Sequence, residues 1–296
     1  MTCGILLLDK PVGLSSNAAL QRVRTLYQRI KAGHVGSLDP LASGMLPICL
    51  GEATKVAGDI LAGRKCYRFT VQLGARTRTG DAEGAVVATA PVPVLEHAGL
   101  EAVLAGFRGT QRQVPPMYSA LKQAGEPLYR LARAGLTVER DARVIVIDSL
   151  QLTGLAGSAL ELEALCSKGT YVRVLGEDIA AALGSVGHIT ALRRRYVEPF
   201  AEESMHTLAE LESQSGEERG RALLAPDAPQ DPLPQVRLAA EATQRLLHGQ
   251  RVPGAPPGTH GRLRLYDADG RFLGTGEADG SGLIQPRRLL NLADRP

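Results

Sequence analysis

Between Gly33 and Pro47 the chain reads GHVGSLDPLASGMLP, and this segment carries a single carboxylate, Asp39, among residues with strong backbone preferences. Pro40 disfavours the helical region for the residue before it, so the Asp39 backbone is expected to be extended and its carboxylate aimed. Gly33, Gly36 and Gly44 permit tight turns or close backbone approach, while Leu38, Leu41, Met45 and Leu46 offer apolar anchors on either side. A lone carboxylate held in that way suits a nucleophile or an electrostatic stabiliser. Taken by itself, an Asp-Pro dipeptide reads first as a turn on a surface loop. The four cysteines, Cys3, Cys49, Cys66 and Cys166, are widely separated, with no CxxC and no histidine at ligand spacing. Neither a disulfide framework nor a metal site is expected from them.

The elements that must position Asp39 follow from periodicity. Residues 4–9, GILLLD, predict a buried strand, and after a turn at Lys10–Gly13 a helix opens at Ser15 or Ser16. Leu20, Val23, Leu26, Tyr27 and Ile30 then recur at helical spacing. Beyond the Asp39 loop the pattern predicts a strand at 45–50, a helix at 52–61, and alternating strands at 65–73 and 85–90. A helix at 95–106, paired strands at 143–152 and 159–166, a helix at 170–183 and a strand leading to Arg193, Arg194 and Arg195 complete this part. The irregular rhythm and hairpin-like pairs predict an α+β fold, with a mixed, mainly antiparallel sheet flanked by helices. Residues 110–142 show little strand pattern and read as a long, mobile excursion suited to binding. Residues 213–235 are acidic and proline-rich, as in an interdomain linker. A short helix at 239–247 and glycine-punctuated strands at 262–266, 271–278 and 282–287 predict a small C-terminal β-barrel. The expected layout is a large unit over 1–212, the linker over 213–235 and a small module over 236–296; their catalytic and RNA-binding roles follow only from the resemblance given below.

The 296 residues are 44% hydrophobic and carry 34 Lys and Arg against 31 Asp and Glu. Residues 1–200 hold 23 basic and 17 acidic side chains, 201–235 hold 2 and 8, and 236–296 hold 9 and 6. Two basic regions thus flank an acidic connector. Arginine supplies 28 of the 34 cations, and its planar fork suits phosphate and base recognition, although a general preference for arginine codons gives the same count. With no apolar run of 18 residues and no signal-peptide pattern at the start, the expected setting is cytoplasmic.

Six separated segments share one order: LDKPVGLSS at 8–16, the Asp39 loop, KCYRF at 65–69, RTRTGDAEG at 76–84, VPPMYSALK at 114–122 and CSKGTYVRVLGEDI at 166–179. Together with GHITALRR at 187–194 and GLIQPRRLL at 282–290, they closely resemble the TruB family, the bacterial tRNA pseudouridine-55 synthases. The resemblance implies a pseudouridine synthase core with a PUA-like C-terminal module. It also implies conversion of a uridine in the TΨC loop to its C-glycoside isomer, with no cofactor and no metal.

Carried over residue by residue, the resemblance makes Asp39 the essential aspartate and Tyr67 an active-site tyrosine that stacks on the flipped base and is suspected of removing its C5 proton. Arg173 becomes the partner that keeps Asp39 ionised and oriented. Tyr171 and Leu192 line the uracil pocket, His34 helps hold the flipped loop, and Lys10 and Pro11 support the pocket. Arg130 and Arg133 lie in the excursion implied to close over the T loop, and Arg287 and Arg288 in the module implied to reach the acceptor side. Ser37, Cys66 and Arg78 depart from the commonest family pattern. The implied partner is tRNA, through its T arm, elbow and acceptor stem; no membrane and no obligatory protein partner are expected, and the enzyme is expected to be a monomer. A guide-dependent synthase of the dyskerin type shares the Asp loop, but the long excursion and the lack of basic terminal tails favour the stand-alone form. A binding-only RNA chaperone would not need Asp39, Tyr67 and Arg173 together.

Overall fold

Gly4–Lys10 (β1) is buried at almost every position, which a strand satisfies inside a sheet covered on both faces. The computed structural model describes residues 2–201 and 203–291; Glu202 and the end of the expected C-terminal module, 292–296, lie outside the described residues. After β1 come the helix Ser16–Leu26 (α1), Ala32–His34 (β2) and Ala42–Leu50 (β3). A 3-10 turn at Gly51–Val56 leads into Ala57–Ala62 (α2), then Lys65–Leu73 (β4), the hairpin of Ala75–Thr77 (β5) and Val86–Thr89 (β6), and His97–Ala105 (α3). Next are Gly109–Gln113 (β7), the small hairpin Lys122–Gln123 (β8) and Glu126–Pro127 (β9), and Leu128–Arg133 (α4). The long hairpin Arg143–Ala156 (β10) and Ala159–Cys166 (β11), then Val172–Ala182 (α5), Gly187–Val197 (β12) and His206–Thr207 (β13) complete the large sheet.

Its order is β13-β1-β3-β12-β4-β11-β10-β7, with β2 also on β3. Only the β1–β13 and β3–β12 pairs are parallel, so the expected α+β class with a mixed, mainly antiparallel sheet is the observed one. One face carries the main core, where Leu20 and Val23 of α1, Leu100 and Leu104 of α3 and Leu175 and Ile179 of α5 meet Leu6, Leu8, Phe69 and Val71 from the strands. The other face packs Ile5, Leu7, Met45 and Cys49 under Ile60 and Phe200.

The close approach of β3 to β12 has a local cause. Gly44 has φ +97°, and a Cβ there would sit 2.1 Å from the Arg194 carbonyl oxygen. Glycine is the residue that accepts both the positive φ and the contact. Gly44→Ala is expected to destabilise the protein by about 2–4 kcal/mol through backbone strain and displacement of β12. An unchanged midpoint in a urea melt would contradict this.

Two sequence expectations need correction. Residues 109–113, GTQRQ, are not part of a structureless excursion but an edge strand paired with β10 from Arg143↔Gln113 to Ile147↔Gly109. Four of its five residues are not buried and none is apolar, so it lacks the apolar alternation that marks interior strands. The stretch 213–235 expected as linker is folded in part. Leu208–Ser213 (α6) leads into it and Gly216–Arg221 (α7) lies within it, each opened by a capping box, Thr207 with Glu210 and Ser215 with Glu218. Leu224 then exchanges two 2.9 Å backbone hydrogen bonds with Ile5 at the sheet. Part of the acidity that suggested a solvated tether is therefore N-terminal helix capping.

The remaining elements are Gln235–Arg237 (β14), Ala240–Leu247 (α8), Val252–Pro253 (β15), His260–Tyr266 (β16), Phe272–Asp279 (β17) and Leu283–Leu289 (β18). Their sheet, ordered β14-β16-β17-β18-β15, curls into a half-barrel around Val236, Leu263, Leu265, Leu273 and Ile284. It docks beside α2: Arg262 Nη1 donates to Asp59 at 2.8 Å, and Lys55 Nζ donates to the Leu289 carbonyl at 2.8 Å. Among the described residues no helix is long and apolar enough to cross a membrane.

Candidate active site

The Asp39 loop is fixed by main-chain bonds on both sides of the carboxylate. The helix cap is Ser15, whose side chain accepts from the Ala18 amide. Its neighbour Ser16 turns instead to the loop, accepting from the Leu38 amide at 2.7 Å and donating to the Leu38 carbonyl at 2.9 Å. Beyond Asp39, the Gly13 amide donates to the Pro40 carbonyl at 2.8 Å and the Ala42 amide to the Asp39 carbonyl at 3.0 Å. Gly36, at φ +69°, makes the turn that enters the loop. The Lys10 Nζ is spent on the carbonyls of Pro11 (2.8 Å) and Leu14 (2.6 Å), closing the turn beneath it. Burial pulls the Lys10 ammonium down to about 8, against the opposing charge of Asp39.

Arg173 lies in the first turn of α5, and its side chain is 6% exposed. Its Nε sits 3.0 Å from Asp39 Oδ2 and 3.9 Å from Asp81 Oδ2. Nη1 donates to the Thr79 carbonyl at 2.7 Å and Nη2 to the Tyr118 carbonyl at 2.6 Å. One guanidinium thus ties together the Asp39 loop, the loop at 79–81 and the excursion. Asp81 is buried, and its Oδ1 accepts from Thr79 Oγ1 at 2.5 Å and from the Glu83 amide at 3.1 Å.

Asp39 keeps 44% of its side-chain surface open to the adjoining cavity. Burial of the carboxyl among protein groups raises its pKa above the ordinary aspartate value; Arg173 pulls the other way and Asp81 adds to the rise. Only the ionised form can attack or stabilise a cationic centre, so activity is lost as pH falls through this raised pKa. The acid limb of single-turnover kcat/KM against pH is therefore expected above the range of an ordinary aspartate. A limb at or below that range would contradict the assignment.

The carboxylate faces a cavity of about 380 Å³ whose lining includes Tyr67, Lys65, Tyr171, Leu192 and Arg194. Tyr67 comes from β4, beside Arg194 of β12 and Ala164 of β11. Tyr171 precedes α5 and is held by Gln113, which accepts from its amide at 2.8 Å and donates to its carbonyl at 3.1 Å. Leu192 is both wall and core: it borders the cavity, pairs with Phe69 and is 9% exposed. His34, at the end of β2, is not among the cavity-lining residues. Burial first, and then Arg194, lower its pKa, which favours the neutral imidazole. Ser119, Ala120 and Leu121 place the excursion against the cavity. A second cavity of about 510 Å³ adjoins it across Arg173 and carries Arg78, Arg140 and Glu177.

Sequence reasoning overlooked three site residues. Asp81 stands in the quoted motif RTRTGDAEG but reads as an ordinary turn acid. Lys65 is 5% exposed at the start of β4. Arg194 is hidden in a run of three arginines. Strand alternation was the available signal: Arg193 pairs with Asp9 at 2.7 Å and Arg195 with Glu163 at 3.2 Å, both half exposed, while Arg194 points inward and is 1% exposed. Among the described residues no cluster of three or more His, Cys, Asp or Glu side chains is arranged to hold a metal ion.

Comparison with known proteins adds independent findings. The family model described as TruB family pseudouridylate synthase (N terminal domain) matches residues 24–172. Those described as tRNA pseudouridylate synthase B C-terminal domain and Pseudouridine synthase II TruB, C-terminal, match 173–226 and 234–290. The chain is 50% identical to the tRNA pseudouridine synthase B of Chromohalobacter salexigens over 292 residues, covering 98% of this chain and 95% of that one. It is also 50% identical to that of Aromatoleum aromaticum over 288 residues, covering 97% and 92%. Among solved structures, a Cbf5-Nop10-Gar1 complex contains a chain that superposes with a TM-score of 0.73 at 23% identity, covering 97% of this chain and 85% of that chain. That likeness is one of fold.

Proposed function

Because the chain belongs to the TruB family of pseudouridylate synthases, which modify tRNA, we propose that it isomerises uridine 55 in the TΨC loop, with Asp39 as the nucleophile or electrostatic stabiliser. The observation that carries this reading is the Asp39 carboxylate, held 3.0 Å from a buried arginine and open to a cavity that includes Tyr67, Tyr171 and Leu192. The reaction breaks the N1–C1′ bond, turns the uracil and joins C5 to C1′. Positive character develops at the anomeric carbon, as in glycoside hydrolysis, and a fixed carboxylate meets it there. Capture at C1′, attack at uracil C6 and abstraction of a sugar proton leading to a glycal all use the same oxygen.

In this reading Tyr67 stacks on the base and its oxygen takes the C5 proton, while Tyr171 and Leu192 form the walls. A base within a folded loop reaches Asp39 only when flipped out, at a cost of roughly a few kcal/mol. Contacts elsewhere offset that cost. The excursion, tied to the site by the Tyr118 carbonyl on Arg173, closes on the T loop, and His34 supports the loop in its flipped form. The C-terminal half-barrel serves as the PUA-like module on the acceptor side, with Arg288; Arg287 is already paired with Glu277 at 2.7 Å. The enzyme acts in the cytoplasm as a monomer without an obligatory partner and without a cofactor, and assists tRNA folding as a second role.

The test is incubation with an unmodified tRNA transcript followed by site-specific mapping of pseudouridine. A single new pseudouridine at position 55 is expected. Modification confined to another position would overturn the site assignment, and no modification at all would overturn the activity.

A further inference from the structure

Arg194 is charged, 1% exposed and, among the described residues, paired with no carboxylate. An arginine in the interior is costly unless its donors are met and its charge is used. Two of its donors meet neutral carbonyls: Nε donates to Met45 at 2.7 Å and Nη2 to Gly36 at 2.8 Å. The guanidinium also faces Tyr67, its cross-strand neighbour, and both residues line the cavity. We propose that Arg194 is the positioning residue that presents the Tyr67 oxygen to the flipped base and stabilises its anionic form. This rests on the reading of Tyr67 as the C5 base.

The geometry gives this pairing a chemical sense. With the guanidinium beside it, the phenol can release its proton to solvent and leave an oxygen free to accept one from the base in the cavity. Arg194 from β12, Cys166 from β11 and Asp39 from its loop bear most on Tyr67, and Lys65, Lys168 and Arg173 border the same cavity. Arg194 is the cation among the first three. Burial raises the phenol pKa, and the guanidinium is the main influence in the opposite direction. The two carbonyl bonds hold the guanidinium in place without neutralising it, so its charge remains available to a phenolate. The proton balance closes. The phenolate takes the C5 proton, the C5–H electron pair restores the C5–C6 double bond, and N1, released from the sugar, takes one proton from solvent. The solvent, which took the phenol proton at the start, has given one to N1, and Tyr67 ends as the neutral phenol it began as.

Arg194 also ties Gly36 to Met45, so loss of activity alone would not separate a chemical role from a scaffolding one. The discriminating measurement is the pH titration of tyrosinate absorbance in the full chain. Subtracting the curve of the matching Tyr67→Phe variant isolates Tyr67, in the native, Arg194→Lys and Arg194→Gln backgrounds. Tyr67 is expected to ionise at higher pH in Arg194→Gln, with Arg194→Lys between it and the native protein. Single-turnover isomerisation at neutral pH should fall roughly ten- to hundredfold in Arg194→Gln, with little added loss when Tyr67→Phe is combined with it. A Tyr67 titration unmoved by both substitutions would overturn the inference. Should Arg194→Gln fail to fold, fluorotyrosine at position 67, which acidifies the phenol at nearly constant shape, is placed in Arg194→Lys. Recovered rate supports the inference and no recovery contradicts it. A shifted titration beside a fully active Tyr67→Phe enzyme would instead retire the base reading and leave the coupling between Arg194 and Tyr67 standing.

Discussion

Asp39→Asn is expected to lower single-turnover pseudouridine formation by on the order of 10⁴-fold or more, which corresponds to at least about 5.5 kcal/mol of transition-state stabilisation. The amide has nearly the shape of the carboxylate and still accepts a hydrogen bond from Arg173 Nε, but it neither attacks carbon nor carries the charge a cationic centre needs. The substitution removes no apolar packing, and the loop stays tied through the Leu38, Pro40 and Ala42 main-chain bonds. Affinity for unmodified tRNA, measured by filter binding, should therefore stay within a few-fold of native. A variant that retains a tenth or more of the native rate would remove Asp39 from the chemistry.

Arg173→Met should damage both rate and stability, by separate routes. Asp39 loses the cation that orients it, and the excursion loses its bond through the Tyr118 carbonyl, so a fall of roughly 10²–10³-fold in rate is expected. Asp81 is left buried without its cation, although Thr79 and the Glu83 amide still bind it, and a stability loss of about 3 kcal/mol follows. Adding Asp81→Asn removes the stranded charge. The double variant should regain most of the urea midpoint while staying as slow as the single one. If rate and stability recovered together, the coupling of Arg173 to Asp39 would not be catalytic.

The strengths and gaps of sequence reasoning have physical reasons. The helix capped by Ser15, the alternating β4 and the β10–β11 hairpin were legible because each is amphipathic over several residues, and periodicity reports burial. Asp39 was legible because proline and glycine restrict backbone choice so strongly around it. Edge strand β7 was not, since an edge buries little and its sequence carries no alternation. Within 213–235 the capping box S-x-x-E at Ser215 and Glu218 marks a helix start, whereas the acidic, proline-rich composition around it is that of a tether. Tyr67 and Arg173 entered through the resemblance, because one tyrosine in a strand or one arginine in a helix looks like core or surface until the fold brings it to a cavity. Asp81 and Arg194 had motif context but no local peculiarity. Their importance comes from what lies opposite them after folding.

The three successive arginines of β12 also make the site depend on parity. The strand departs from even pairing twice, between Ile189 and Ala191 and again between Arg194 and Tyr196, and these irregularities set which of the three faces inward. A one-residue insertion or deletion ahead of Arg193 would reverse the phase, burying two arginines where one now sits and turning Arg194 out to water. Charge and composition would hardly change. Point substitutions along this strand can be graded in their effects, whereas a single-residue slip changes the site all at once.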